Sequence, residues 1–129
     1  MENLNILQEG EVVYAARKGV TREKVNFIMG LTGITLSEIG KYTHVTSRTL
    51  QRKKPNETLT SDISERLLLI QNLYVKGSSV MGSLNAFKEW MCMPNVALNG
   101  AVPKSFLDTF SGIEYVMHEL GRIEHGFVA

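Results

Sequence analysis

A chain of 129 residues that is 43% hydrophobic and has three prolines has room for one compact domain or two very small ones sharing a core, which excludes a disordered chain. Its formal net charge of +1 is weak for a nucleic-acid binder taken as a whole, and its single cysteine, Cys92, excludes an internal disulfide and suits a reducing cytoplasm. Met1 to Gly10 lacks the basic flank and apolar core of a secretory signal, and no apolar run approaches the length of a membrane helix.

Val12, Val13, Ala15 and Ala16 predict a first helix over Glu11 to Lys18, ended at Gly19. Thr21 can cap a second, which buries Val25, Phe27, Ile28 and Leu31 before Gly33. Thr35 caps a third, Leu36 to Lys41, with Leu36 and Ile39 inward, and Thr46 caps a fourth, Ser47 to Lys53. Pro55-Asn56-Glu57 closes this half, because proline disfavours helix in the residue before it.

Asp62 and Glu65 have the spacing of a capping box, predicting a helix with Ile63, Leu67, Ile70 and Tyr74 on one stripe and an end at Gly77. Ser83 opens the next helix, which places Leu84, Phe87, Trp90 and Met91 on one face and stops before Pro94. Asn99-Gly100 predicts a turn, with a tiny hairpin conceivable around it, and Pro103 suits the first position of a helix running to Thr109. Ser111 and Glu114 form a second candidate capping box, opening a last helix with Ile113, Val116, Met117 and Leu120 inward and Gly126 as its terminal glycine. The pattern is all-α.

Charge is unevenly placed. Residues 1–58 carry nine Lys/Arg against six Asp/Glu, a balance of +3, whereas residues 59–129 carry five against seven, a balance of −2. Lys41, Arg48, Arg52, Lys53 and Lys54 fall in one stretch without an acid, and local charge sets the field that DNA meets. Thr35 to Lys53 has the layout of a helix-turn-helix, with Gly40 where two helices must approach and a turn through Tyr42 to Val45. Its second helix places Leu50 inward and Ser47, Arg48, Thr49, Gln51 and Arg52 with Lys53 as candidate DNA contacts. Arg and Gln suit bidentate bonds to guanine and adenine edges, and the terminal basic residues can reach phosphates. A solvated basic helix on a generic bundle is the bland alternative. One recognition helix per chain predicts a homodimer reading two half-sites.

Nothing in the chain reads as catalytic: it has no glycine-rich phosphate loop, nucleophile elbow or supported carboxylate pair. His118 and His125, seven apart, share a helix face without metal-chelating spacing, so neither a metal nor a cofactor is expected. Trp90, Phe87, Phe106 and Phe110 read as core.

The Thr46 to Arg52 helix, Leu59, Ser64-Glu65-Arg66-Leu67, Trp90, Pro94-Asn95, Leu98, Gly100, Pro103, Leu107, Gly112, Val116, Leu120 and His125-Gly126, in this order, resemble Xre-type antitoxins over about residues 20 to 129. Asn99 stands where a glycine is expected and Lys104 where an apolar residue is common. The resemblance implies a helix-turn-helix DNA-binding domain over residues 1–58 and a small α-helical toxin-binding domain over residues 59–129. It further implies a non-enzymatic protein that neutralises a RES-domain toxin, an NAD-consuming protein similar to ADP-ribosyltransferases, and represses its own operon. Arg122, His125, Gly126, Phe127, Val128 and Ala129 are the expected toxin-binding residues. The apolar tail and its carboxylate could enter a pocket built for an anionic dinucleotide. Phe127 could instead fold back as a hydrophobic cap, leaving helix surface to block the toxin. A stand-alone transcription regulator with a C-terminal dimerisation domain is the competing function.

Overall fold

The computed structural model describes residues 5–126, which form seven α-helices and two short 3-10 turns, with no strand among them. Helix α1 spans Glu9–Lys18, α2 Arg22–Thr32, α3 Leu36–Thr43, α4 Ser47–Arg52, α5 Ser61–Met81, α6 Leu84–Met91 and α7 Phe110–Glu124. The all-α expectation holds. Side-chain capping sets most of the starts, with Thr21, Thr35, Thr46, Ser83 and Thr109 each accepting a first-turn N–H. At α3 the bond is reciprocal, since Glu38 Oε1 accepts from Thr35 N at 3.0 Å.

Helix α5 is the axis of the fold and packs against α1, α2, α3, α6 and α7. Leu67, Ile70 and Leu73 along it are 0% exposed, and each contributes about 1.5–3 kcal/mol by leaving water. One continuous hydrophobic cluster runs from Val12 to Leu120 through this helix. Buried polar groups are met in part, Gln71 Oε1 having no hydrogen-bond partner among the described residues. The buried Ser64 hydroxyl accepts from Val20 N at 2.8 Å and donates to Leu59 O at 3.3 Å, tying the chain before α2 to the chain before α5.

Several expectations need correction. Helix α5 begins after Thr60 rather than at an Asp62–Glu65 box, both of which lie inside the helix. It also continues through Gly77 and ends at Gly82, whose φ of 90° is the left-handed conformation that terminates helices. Gly77 is small for a different reason: a Cβ there would clash with the Phe87 ring, so the missing side chain lets α6 seat against α5. Phe87 fills that notch edge-on to Tyr74 at 5.1 Å and stacked on Trp90 at 5.7 Å.

Helix α7 opens at Thr109, whose hydroxyl takes Gly112 N at 2.9 Å, so Ser111 and Glu114 are not its cap. The helix expected from Pro103 to Thr109 is a 3-10 turn over Pro103–Phe106, cut short because Phe106 O must lie against Gly112. The conceivable hairpin reduces to one bridge, Asn95 to Ala101, around a 3-10 turn at Val96–Leu98. Phe27 and Phe110, read as core, are 40% and 48% exposed, and Lys24 Nζ lies 4.3 Å from the Phe27 ring centre.

Candidate functional site

The first candidate surface is α4 and the turn before it. His44 adopts a left-handed conformation (φ 61°) that reverses the chain after α3, and Gly40 leaves room for Val45 O to pack against the helix. Val45 N bonds Gly40 O at 2.9 Å, closing the turn. Leu50 is fully buried beneath α4, which turns Arg48, Thr49, Gln51 and Arg52 to solvent and leaves Ser47 and Lys53 half-buried. The six candidate DNA contacts therefore share one short helix and its exit. Thr49 is partly spent on structure, since its hydroxyl bonds Thr46 Oγ1 at 2.8 Å.

Among the described residues no carboxylate pairs with Arg48, Arg52, Lys53 or Lys54. The carboxylate bonded within this stretch is that of Glu57, which accepts from the Lys54 backbone N at 2.9 Å, so these side chains stay available to phosphates. Arg22 holds this edge in place: its Nε donates to Leu50 O at 2.8 Å and its Nη1 to Asn26 Oδ1 at 2.6 Å. Sequence reasoning missed Arg22 because it lies well outside the motif.

The second candidate surface is the end of α7. Arg122 is half exposed and 3.7 Å from Glu119, His125 is exposed beside Glu124, and Gly126 has a φ of 73°. Lys76 of α5 bonds both oxygens of Glu124 at 2.8 Å and holds that carboxyl below its ordinary range. Lys76 thus fixes the helix end that presents Arg122, His125 and Gly126, a role with no sequence signal. Phe127, Val128 and Ala129 lie outside the described residues. His118 and His125 belong to no potential metal cluster among the described residues.

A polar clamp joins the turn of the first surface to the chain that leads into α7. Arg66 of α5 donates through Nη1 to Tyr42 O at 2.8 Å and to Asp108 O at 2.9 Å, and His44 Nε2 lies 3.0 Å from the same Asp108 carbonyl. Lys104 adds an ion pair to Glu38 at 3.0 Å. Burial raises the Glu38 carboxyl pKa, but the Thr35 N–H and Lys104 outweigh that and leave it below its ordinary value. Burial pushes the neighbouring Tyr42 hydroxyl up to about 12. The turn of the helix-turn-helix is thereby bonded directly to the chain preceding α7.

Two family models match, in order along the chain. Residues 11–72 match the antitoxin Xre-like helix-turn-helix domain, and residues 77–126 match the antitoxin Xre/MbcA/ParS C-terminal toxin-binding domain. The chain belongs to the Xre-type antitoxin family. It is also similar to a protein named Antitoxin Xre from Photorhabdus laumondii subsp. laumondii, at 44% identity over 48 residues, which covers 37% of this chain and 32% of the relative. The matched part is therefore about a third of that relative's length. The family's helix-turn-helix region contains the basic edge at α4, and its toxin-binding region contains Arg122, His125 and Gly126. No helix among the described residues is long and apolar enough to cross a membrane.

Proposed function

We propose that this protein is a cytoplasmic, non-enzymatic antitoxin that holds a RES-domain toxin inactive through its C-terminal half and represses its own operon through α4, as a homodimer. The observation that carries the reading is the order of the two matched regions on one chain, each presenting an exposed candidate surface. The RES-domain partner is the finer part, and it rests on the family resemblance. Toxin capture is assigned to Arg122, His125 and Gly126 together with Phe127, Val128 and Ala129. Co-expression with a neighbouring RES-like toxin should restore growth and give a complex that survives pull-down. Deleting residues 127–129 should abolish the rescue while leaving helical content unchanged; full rescue by the truncated protein would assign inhibition to the helix surface instead. Failure of the intact protein to bind or rescue would favour a stand-alone regulator.

DNA reading is assigned to Ser47, Arg48, Thr49, Gln51, Arg52 and Lys53. Arg48 is exposed in the first turn of α4, where a side chain can reach a base edge, whereas Lys53 lies beyond the helix end. Arg48→Ala should weaken operator binding by about 1–3 kcal/mol and relax preference at one base position. Lys53→Ala should lower affinity for all sequences and flatten its salt dependence. Titrations of both variants at several salt concentrations check this, and unchanged affinity for both would remove α4 from the DNA interface.

A further inference from the structure

Helix α1 has a face that the fold leaves uncovered. Val12 and Ala16 point into the core, while Gly10, Val13, Tyr14 and Arg17, spaced three and four apart, line the opposite side. Tyr14 is 73% exposed and Val13 37%, a large apolar area for a ten-residue helix. The face is rigidly mounted. Asn72 of α5 accepts from Leu7 N at 2.8 Å and donates to Leu7 O at 3.1 Å, which fixes the chain just before the helix. Its charges are ordered end to end, with Glu9 and Glu11 in the first turn and Arg17 and Lys18 in the last.

We propose that this face joins two copies of the protein, with α1 packed antiparallel against the same helix of a second copy about a two-fold axis between Val13 and Tyr14. In this register Tyr14 meets Tyr14 and Val13 meets Val13. Arg17 of the second copy lies over Gly10, where no atom stands within 4 Å of a would-be Cβ, and between Glu9 and Glu11. Lys18 of the second copy falls beside Glu11. A parallel pairing would instead set each acid against its own copy, so the charge order selects the antiparallel one. This self-complementarity is what an isologous contact requires, and it favours a second copy over an unrelated partner.

The contact has room to extend. A helix pair about 15 Å long falls short of the roughly 800 Å² that each partner buries in a standard interface. Val13 is also on the rim of a groove of about 390 Å³ between α1, α5 and α7, whose apolar lining includes Leu7, Ile113, Met117 and the exposed Phe110. Covering the mouth of that groove adds apolar area on the Val13 side of the pair.

The inference rests on the homodimer reading above and supplies its surface. Sedimentation velocity on the full chain, from low to high micromolar concentration, should give a reversible dimer. Arg17→Glu should raise its dissociation constant at least about tenfold, and adding Glu9→Arg should recover part of the loss. Tyr14→Lys should leave monomer, with far-UV circular dichroism confirming that each variant folds. As a second measurement, Tyr14→Cys in a Cys92→Ser protein should cross-link under copper-phenanthroline, whereas Gly30→Cys on the exposed side of α2 should not. A dimer indifferent to Arg17→Glu and Tyr14→Lys, or one lacking the Tyr14→Cys cross-link, would overturn the surface while leaving dimerisation intact. A monomer at every concentration would overturn both.

Discussion

Phe87→Ala should destabilise the protein by about 3–5 kcal/mol, because the ring is fully buried and the notch it fills is built into the backbone of α5. Truncation leaves a cavity bounded by Tyr74, Trp90 and the bare helix at Gly77, and α6 cannot collapse further onto a residue that already has no side chain. The reverse change tests the same contact. Gly77→Ala gains about 1 kcal/mol of helix propensity, yet it drives a methyl carbon against the Phe87 ring and should cost about 1–3 kcal/mol net. Combining Gly77→Ala with Phe87→Leu should be milder than the sum of the single changes, because the smaller side chain vacates part of the contested space. Chemical denaturation of the four proteins measures the coupling. Strict additivity would mean that α5 and α6 do not meet at this point.

Gly77 also marks what sequence reasoning could and could not read. A glycine after an apolar stripe has two meanings, a stop in the left-handed conformation or a gap for a neighbouring side chain, and local sequence does not choose between them. Gly82, five residues on, is the true stop, and only the position of Phe87 distinguishes the two roles. The capping errors have a similar origin. Thr60 and Thr109 open α5 and α7, but Asp62–Glu65 and Ser111–Glu114 offer the same spacing within the first turn, where acids and hydroxyls are also favoured. By contrast, Thr21, Thr35, Thr46 and Ser83 were legible because each stands between a break and an apolar stripe with no competing cap nearby. The exposed row on α4 was legible for the same reason: burial of Leu50 fixes which residues face outward. Arg22, Arg66 and Lys76 were not, since each acts on chain 20 or more residues away through bonds such as Arg66 to Tyr42 O, Arg22 to Leu50 O and Lys76 to Glu124. Periodicity and capping describe neighbours in sequence, whereas these three are cross-links of the tertiary fold.

Arg66→Met should cost roughly 2–4 kcal/mol, and its effect should concentrate on the helix-turn-helix turn. The guanidinium makes two charge-assisted bonds to main-chain carbonyls, Tyr42 O and Asp108 O, in a half-buried position. Hydrogen bonds to charged groups contribute about 1.5–3 kcal/mol each, and partial solvent access keeps the pair below the full sum. Methionine preserves much of the apolar stem but leaves both carbonyls without their donor. Lysine should rescue in part, because one ammonium nitrogen can serve both carbonyls as Nη1 does, but its flexible stem lacks the planar guanidinium that fixes the donor in place. The Asp108 carbonyl keeps one contact, to His44 Nε2, when that nitrogen carries the proton, so the turn should loosen rather than detach. Hydrogen exchange should therefore accelerate most at Tyr42 to Val45, with α6 much less affected, since its anchor is the Phe87 notch. If protection falls evenly over the whole chain, Arg66 is only a general contributor to stability. If neither stability nor local exchange changes, the clamp between the helix-turn-helix turn and the chain before α7 has no energetic weight.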